Sequence, residues 1–168
     1  MISSLASNYK GLISITGPTR SGKSRLAEFL INEHDSVAYI ATSKPRPNDP
    51  EWQTRIDLHK MRRPDKWMLI EHPEDICTAI ESIRGNHSIL IDSLGGLVEQ
   101  HLLEDDDKWN YFQFKFLKSL SKDDICIVVV SEEVSWGIVP ATPIGHLFRE
   151  RLSTLSSLIS RQSKKRWL

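Results

Sequence analysis

Residues 17–24 read Gly17, Pro18, Thr19, Arg20, Ser21, Gly22, Lys23 and Ser24, the spacing GxxxxGK[ST]. The chemistry this spacing serves is the binding of a polyphosphate. Glycine at both ends lets successive backbone N–H groups turn inward on a phosphate, at the positive end of the helix that follows. Lys23 then reaches the β- and γ-phosphates, and the Ser24 hydroxyl ligates Mg²⁺. A phosphate loop of this kind works between a strand and a helix. Both are on offer, because Gly11–Thr16 is a short Ile-rich apolar run and Lys23–Asn32 has a helical pattern. The metal also needs an acid on a neighbouring strand, and Asp92, closing the run Ser88–Asp92, is the leading candidate. Glu132 and Glu133, after the run Asp124–Ser131, are rivals for that role.

A second reactive group lies in Arg55–Pro64, RIDLHKMRRP, where His59 stands beside Lys60, Arg62 and Arg63. A local positive patch would suit a second triphosphate. It would also stabilise the phosphoramidate formed if the imidazole attacked an α-phosphorus. Taken alone, a histidine among basic residues is more often a solvated helix end. His34, His72, His87, His101 and His146 stand in no comparable constellation.

The elements that must carry these groups alternate. Gly11–Thr16, Ser36–Thr42, Ser88–Asp92 and Asp124–Ser131 read as buried parallel strands, and Lys23–Asn32, Pro50–Lys60, Pro73–Arg84, Asp107–Ser121 and Ile144–Arg161 as helices. That order predicts an α/β fold, a mostly parallel sheet with helices on both faces and ligand sites at the carboxyl ends of its strands. Residues 43–50, SKPRPNDP, read as a loop leading into the helix of His59, and the acidic run Glu104–Asp107 as a solvated loop. The 168 residues suit one domain, preceded by a short extension over residues 1–10, with Trp167 and Leu168 opening a final strand that is cut short.

Composition narrows the function classes. With 22 Lys+Arg against 22 Asp+Glu, no global field draws the chain to nucleic acid or to an anionic membrane, so an anion site must be built locally. Cys77 and Cys126 lie far apart in apolar stretches and fit buried thiols better than a zinc site. There is no apolar run of membrane-spanning length and no signal-peptide pattern, which points to the cytoplasm.

The motifs taken together resemble the bifunctional adenosylcobinamide kinase/adenosylcobinamide-phosphate guanylyltransferase family of cobalamin biosynthesis. Gly17–Glu28 reads GPTRSGKSRLAE against G-x-x-x-S-G-K-S-x-x-A-E, and Tyr39–Thr42 reads YIAT. A histidine followed by basic residues, proline and tryptophan is matched by His59, Lys60, Arg62, Arg63, Pro64 and Trp67. Glu71 matches the next acid, and Glu133–Pro140, EVSWGIVP, matches E-V-G-x-G-I-V-P. The resemblance implies a P-loop NTPase with a RecA-like sheet. It implies phosphorylation of adenosylcobinamide by ATP or GTP, then transfer of GMP through a GMP-histidine at His59 to give adenosylcobinamide-GDP. It further implies nucleotide contacts from Gly17–Ser24, Thr42, Ser43, Lys44, Lys60, Met61, Arg62, Arg63, Glu71 and Asp92, a Mg²⁺ at Ser24 and Asp92, and a homo-oligomer, with the trimer as the family's form. Ser135 in place of the motif glycine, Ala141 with Thr142 in place of E-N, and the short C-terminus depart from the family pattern. Two other readings of the residues stay open: a different P-loop small-molecule kinase or NTPase, and a nucleotide-binding member that has lost catalysis.

Overall fold

The computed structural model describes residues 9–85, 87–137 and 139–168. Of the extension read over residues 1–10, all but Tyr9 and Lys10 lies outside them, as does Ile138 of the GIVP motif. Among the described residues the chain runs β1 (Gly11–Gly17), α1 (Lys23–Ile31), β2 (Val37–Ala41), α2 (Pro50–Arg62), β3 (Met68–Glu71), α3 (Ile76–Ser82), β4 (Ser88–Asp92), α4 (Leu94–His101), α5 (Asp106–Ser119), β5 (Cys126–Glu132), α6 (Pro143–Gln162) and β6 (Lys165–Trp167). The strands form one sheet in the order β3-β2-β4-β5-β1-β6, every adjacent pair parallel. Their carboxyl ends therefore share one edge, where Gly17, Ala41, Glu71, Asp92 and Glu132 all finish.

Strand side chains alternate between two cores, as a pleated strand buried on both faces requires. Ile89 and Ile91 of β4 and Ile127 and Val129 of β5 pack against α3 to α6 through Ile80, Leu97, Phe116 and Leu155. Leu90, Val128 and Val130 point the other way, onto Ala27, Leu30 and Ile31 of α1. The α/β class with helices on both faces stands as expected.

Three elements differ from expectation. β3, for which no strand is predicted despite its short apolar run Trp67–Ile70, carries no buried side chain and leaves Met68 and Leu69 exposed at the sheet edge. α4 begins Leu94-Gly95-Gly96, a pair of glycines that reads as a loop. The pair is there because the helix passes close to its neighbours: a Cβ on Gly96 would meet Thr42 Oγ1 at 2.5 Å. The acidic run is no free loop either, since Asp105 caps α5 by accepting from the Lys108 N–H at 2.9 Å and Asp106 is already helical. The final strand does form, with Lys165–Trp167 pairing to Ile13–Ile15 of β1. Both cysteines are buried free thiols. Burial pushes Cys77 up to about 11 and Cys126 to about 12, which keeps them protonated and inert.

Candidate active site

The phosphate loop joins β1 to α1 at the carboxyl edge. Gly22 adopts φ 88°, a left-handed conformation that glycine takes without strain, and a Cβ there would find open space. The turn aims the start of α1 into a cavity of about 640 Å³ between the loop and α2. Lys23 is buried, its Nζ folded back to donate to the Pro18 carbonyl at 3.2 Å. Ser24 Oγ donates to Asp92 Oδ1 at 3.2 Å. Asp92 does not lie on the strand next to β1, because β5 intervenes between β1 and β4. The acid meets the serine all the same, since α1 packs against both β5 and β4.

Asp92 is fixed from a second side. Its Oδ2 accepts from the Tyr39 hydroxyl at 2.7 Å, and the phenol is held neutral, pushed well above its ordinary value by burial and by the Asp92 charge. His59 Nδ1 approaches the same Oδ2 at 3.8 Å and lies nearer to Glu28 Oε1, at 3.4 Å. Glu28 is gripped by Arg62, with Nε 2.9 Å from Oε2 and a terminal nitrogen 3.2 Å from Oε1. Burial works against the Glu28 charge, but the His59 and Arg62 contacts outweigh it and hold the carboxyl below its ordinary value.

The positive patch expected around His59 keeps Arg62 and Arg63 near the ring, but Glu28 and Asp92 offset it. Residues three apart share a helix face, so His59 turns inward toward two carboxylates with Arg62 beside it on Glu28, while Lys60 points away. Lys60 pairs with Glu71 at 3.7 Å, Arg62 with Glu28, and the Arg63 guanidinium lies over the Tyr39 ring at 3.7 Å. Met61 is 82% exposed and Lys44 is exposed, outside this cluster. Thr42 is fully buried and spends its hydroxyl on Ser93, donating to the carbonyl at 2.6 Å and accepting from the N–H at 3.0 Å. Glu132 caps α4, accepting from Gly95 N at 3.0 Å and from the Ser93 hydroxyl. Glu133 accepts from the Ser135 and Trp136 N–H groups. Neither rival acid reaches Ser24.

Sequence reasoning left two members of the cluster without a role, Glu28 and Tyr39. A signal for the first existed: Ser24 and Glu28 are four apart on α1, and His59 and Arg62 three apart on α2, so each pair shares a helix face. The cluster also divides two spaces. His59 and Trp52 line both the large cavity and a smaller one of about 200 Å³ that reaches Arg63, Ser43 and Ser93.

A glycine-rich loop opening a helix on a parallel sheet, with a serine and a strand-end aspartate in contact beside it, defines a P-loop nucleotide-binding protein. An ATPase of a bacterial type III secretion system has the same fold, with a TM-score of 0.55 at 15% identity over 90% of this chain and 54% of that one. A family model described as cobinamide kinase / cobinamide phosphate guanyltransferase matches residues 13–168, and the chain belongs to that family. The bifunctional adenosylcobalamin biosynthesis protein CobU of Escherichia coli K12 is 29% identical over 94% of both chains. CobP of Pseudomonas aeruginosa PAO1, also named a bifunctional adenosylcobalamin biosynthesis protein, is 31% identical over 90% of this chain and 88% of its own. Among the described residues no helix is long and apolar enough to cross a membrane.

Proposed function

We propose that this enzyme runs both reactions of its family from the one cluster: phosphorylation of adenosylcobinamide by ATP or GTP at the phosphate loop, and guanylylation of the product through His59. The observation that carries the reading is Asp92, which touches Ser24 of the phosphate loop and faces His59, so both chemistries share a wall of the same cavity. The contact pair Ser24 and Asp92 offers hard oxygen donors with one negative charge. That donor set suits Mg²⁺, an ion that keeps several waters and takes its remaining oxygens from phosphates. No group of three or more His, Cys, Asp or Glu side chains suited to a metal occurs among the described residues, in keeping with an ion shared with a nucleotide. When bound, the ion neutralises phosphate charge as it develops.

In the first reaction the loop amides and Lys23 hold the β- and γ-phosphates while the acceptor hydroxyl attacks the γ-phosphorus; an O–P bond forms, the bond to the β–γ bridging oxygen breaks, the nucleoside diphosphate leaves with the electron pair, and the hydroxyl proton passes to solvent. In the second, the His59 nitrogen lone pair attacks the α-phosphorus of GTP. An N–P bond forms, the P–O bond to pyrophosphate breaks, and pyrophosphate leaves with the electron pair. An oxygen of the adenosylcobinamide phosphate then attacks the same phosphorus, and the N–P bonding pair returns to the ring. Arg62, Arg63 and Ser43 line the two cavities that meet at His59 and supply nucleotide contacts, while Lys60, Glu71 and Lys44 line neither cavity. A homotrimer in the bacterial cytoplasm completes the proposal, and light scattering at micromolar concentration reads the oligomer directly. The central test is incubation with α-labelled GTP. Wild type should carry an acid-labile, base-stable label on His59 and His59→Ala none, with adenosylcobinamide phosphorylation retained. Label on another residue overturns the histidine assignment. A wild type that phosphorylates but never labels is a kinase only.

A further inference from the structure

We infer that Glu28 is the positioning residue of the guanylylation step, accepting the Nδ1–H of His59 so that Nε2 is the nitrogen presented to the α-phosphorus. This rests on the reading of His59 as the nucleophile.

The phosphate loop's own chemistry does not call for an acid at this place. Lys23, Ser24 and Asp92 already supply the cation, the hydroxyl and the metal carboxylate of phosphoryl transfer. Yet the Glu28 side chain, one turn beyond Ser24 on α1, is only 9% exposed, and a glutamate is rarely so covered unless its charge is fully engaged. Two guanidinium nitrogens of Arg62 engage it from α2, and its Oε1 also faces the imidazole. Three groups thus form a line, Arg62 to Glu28 to His59, across the seam between the two helices.

A neutral imidazole carries one N–H, and the group beside one nitrogen decides which nitrogen keeps it. A carboxylate accepts only, so the proton belongs on Nδ1 and the lone pair on Nε2. Among the described residues the charged or titratable groups facing this ring include Glu28 from α1, Asp92 from β4 and Arg62 on its own helix, with Tyr39 of β2 and the Arg63 stacked on it behind Asp92. Both carboxylates already accept elsewhere, Glu28 from Arg62 and Asp92 from Ser24 and Tyr39, but Asp92 is farther from the ring, at 3.8 Å against 3.4 Å. Glu28 is therefore the better orienter. As Nε2 bonds to phosphorus and pyrophosphate departs, the ring becomes cationic with its Nδ1 proton still in place. A fixed carboxylate beside that proton stabilises the charge where it develops, as in other histidines that are oriented by an acid. When the acceptor phosphate breaks the N–P bond the charge disappears, and no proton need enter or leave through Glu28.

The test measures single-turnover labelling by α-labelled GTP in wild type, Glu28→Ala and Glu28→Gln, with nitrogen-15 spectra of the histidine ring. Glu28→Ala should lower the maximal labelling rate about 10- to 100-fold while the half-saturating GTP concentration moves by less than about threefold. Glu28→Gln keeps a carbonyl oxygen that can accept the same N–H but not the charge, so it should retain the Nδ1–H tautomer and recover only part of the rate. The Nδ1–H tautomer of His59 should dominate in wild type and give way in Glu28→Ala. Should Glu28→Ala fail to fold, the Gln variant and the wild-type tautomer decide the matter. A wild-type labelling rate in Glu28→Ala, a loss confined to the half-saturating concentration, or an Nε2–H tautomer in wild type overturns the inference. Absence of label on His59 in the wild type overturns the nucleophile reading and this inference with it.

Discussion

The helices α1 and α2 bring the phosphate loop and His59 to the same cavity, yet they are attached to the protein in different ways. α1 buries Ala27, Leu30 and Ile31 against the sheet, and each fully buried Leu or Ile is worth roughly 1.5–3 kcal/mol. α2 has no buried side chain among those described. It is held by its Asp49 cap on the Trp52 N–H at 3.0 Å, by the Arg62–Glu28 pair and by the facing of His59 to Glu28. Partly exposed polar ties of this kind contribute little each, about 1 kcal/mol or less. The phosphate site is thus anchored by core packing and backbone, while the histidine is placed by side-chain contacts that an incoming charged ligand can rearrange.

The sharpest break in that comparison comes from Lys23. Its ammonium is the buried cation of the loop, the other, Arg20, being exposed beside Glu51, and both reactions need a bound triphosphate, so Lys23→Ala should weaken ATP and GTP binding about 100-fold or more and abolish both activities. Titration calorimetry with Mg²⁺ present checks this, and unchanged affinities would remove the phosphate-loop assignment. Asp92→Asn comes next. Because the carboxylate touches Ser24 and faces His59, the amide should slow phosphorylation and GMP labelling together, each by about 10- to 100-fold, and flatten the Mg²⁺ dependence. A variant slowed in only one reaction would mean the two halves do not share this group.

The same contrast governs what the sequence discloses. The phosphate loop is local: eight consecutive residues between an apolar strand and a helix specify it, and Gly17–Ser24 are found without any tertiary knowledge. The strands β1, β2, β4 and β5 are legible because burial on both faces makes them continuous Ile and Val runs. β3 is not, since its run Trp67–Ile70 is short and holds a single β-branched residue, and an edge strand in contact with water needs no more. α4 is hidden by Gly95 and Gly96, whose reason is the neighbouring Thr42 and Glu132 and cannot be read along the chain. The histidine half suffers most. Adjacency in RIDLHKMRRP shows only the basic patch, whereas helical geometry sends each cation to a different partner and gives His59 two carboxylates from distant segments. Glu28 could be placed only by its four-residue spacing from Ser24.

A milder sharpening of the comparison is a matter of dynamics. If α2 is held by polar ties alone, its backbone amides should open more readily than those of α1. Hydrogen exchange at neutral pH should run at least about 10-fold faster in residues 52–62 than in residues 26–31, and addition of GTP should slow α2 more than α1. Equal protection in the free protein would show that α2 is as firmly built in as α1.

The smallest effect is the pH dependence of the tie itself. The Glu28 carboxyl lies below its ordinary value in the folded protein, because the His59 and Arg62 contacts outweigh burial. A depressed carboxyl stabilises the fold above its unfolded value, about 4.3 for glutamate, and that contribution disappears as pH falls through the lowered folded value. Glu28→Gln cannot titrate at this position. Other depressed carboxyls, such as Asp75 at the cap of α3, respond equally in both proteins and cancel in the difference. Urea unfolding of wild type and Glu28→Gln between pH 7 and pH 3.5 should therefore give a gap in stability that is constant above about pH 5 and closes below it, by about 1 kcal/mol or less for a single ion-paired side chain. A gap that persists unchanged to the acid end would mean that the negative charge on Glu28 adds nothing to the docking of α2, and that shape alone holds the histidine helix in place.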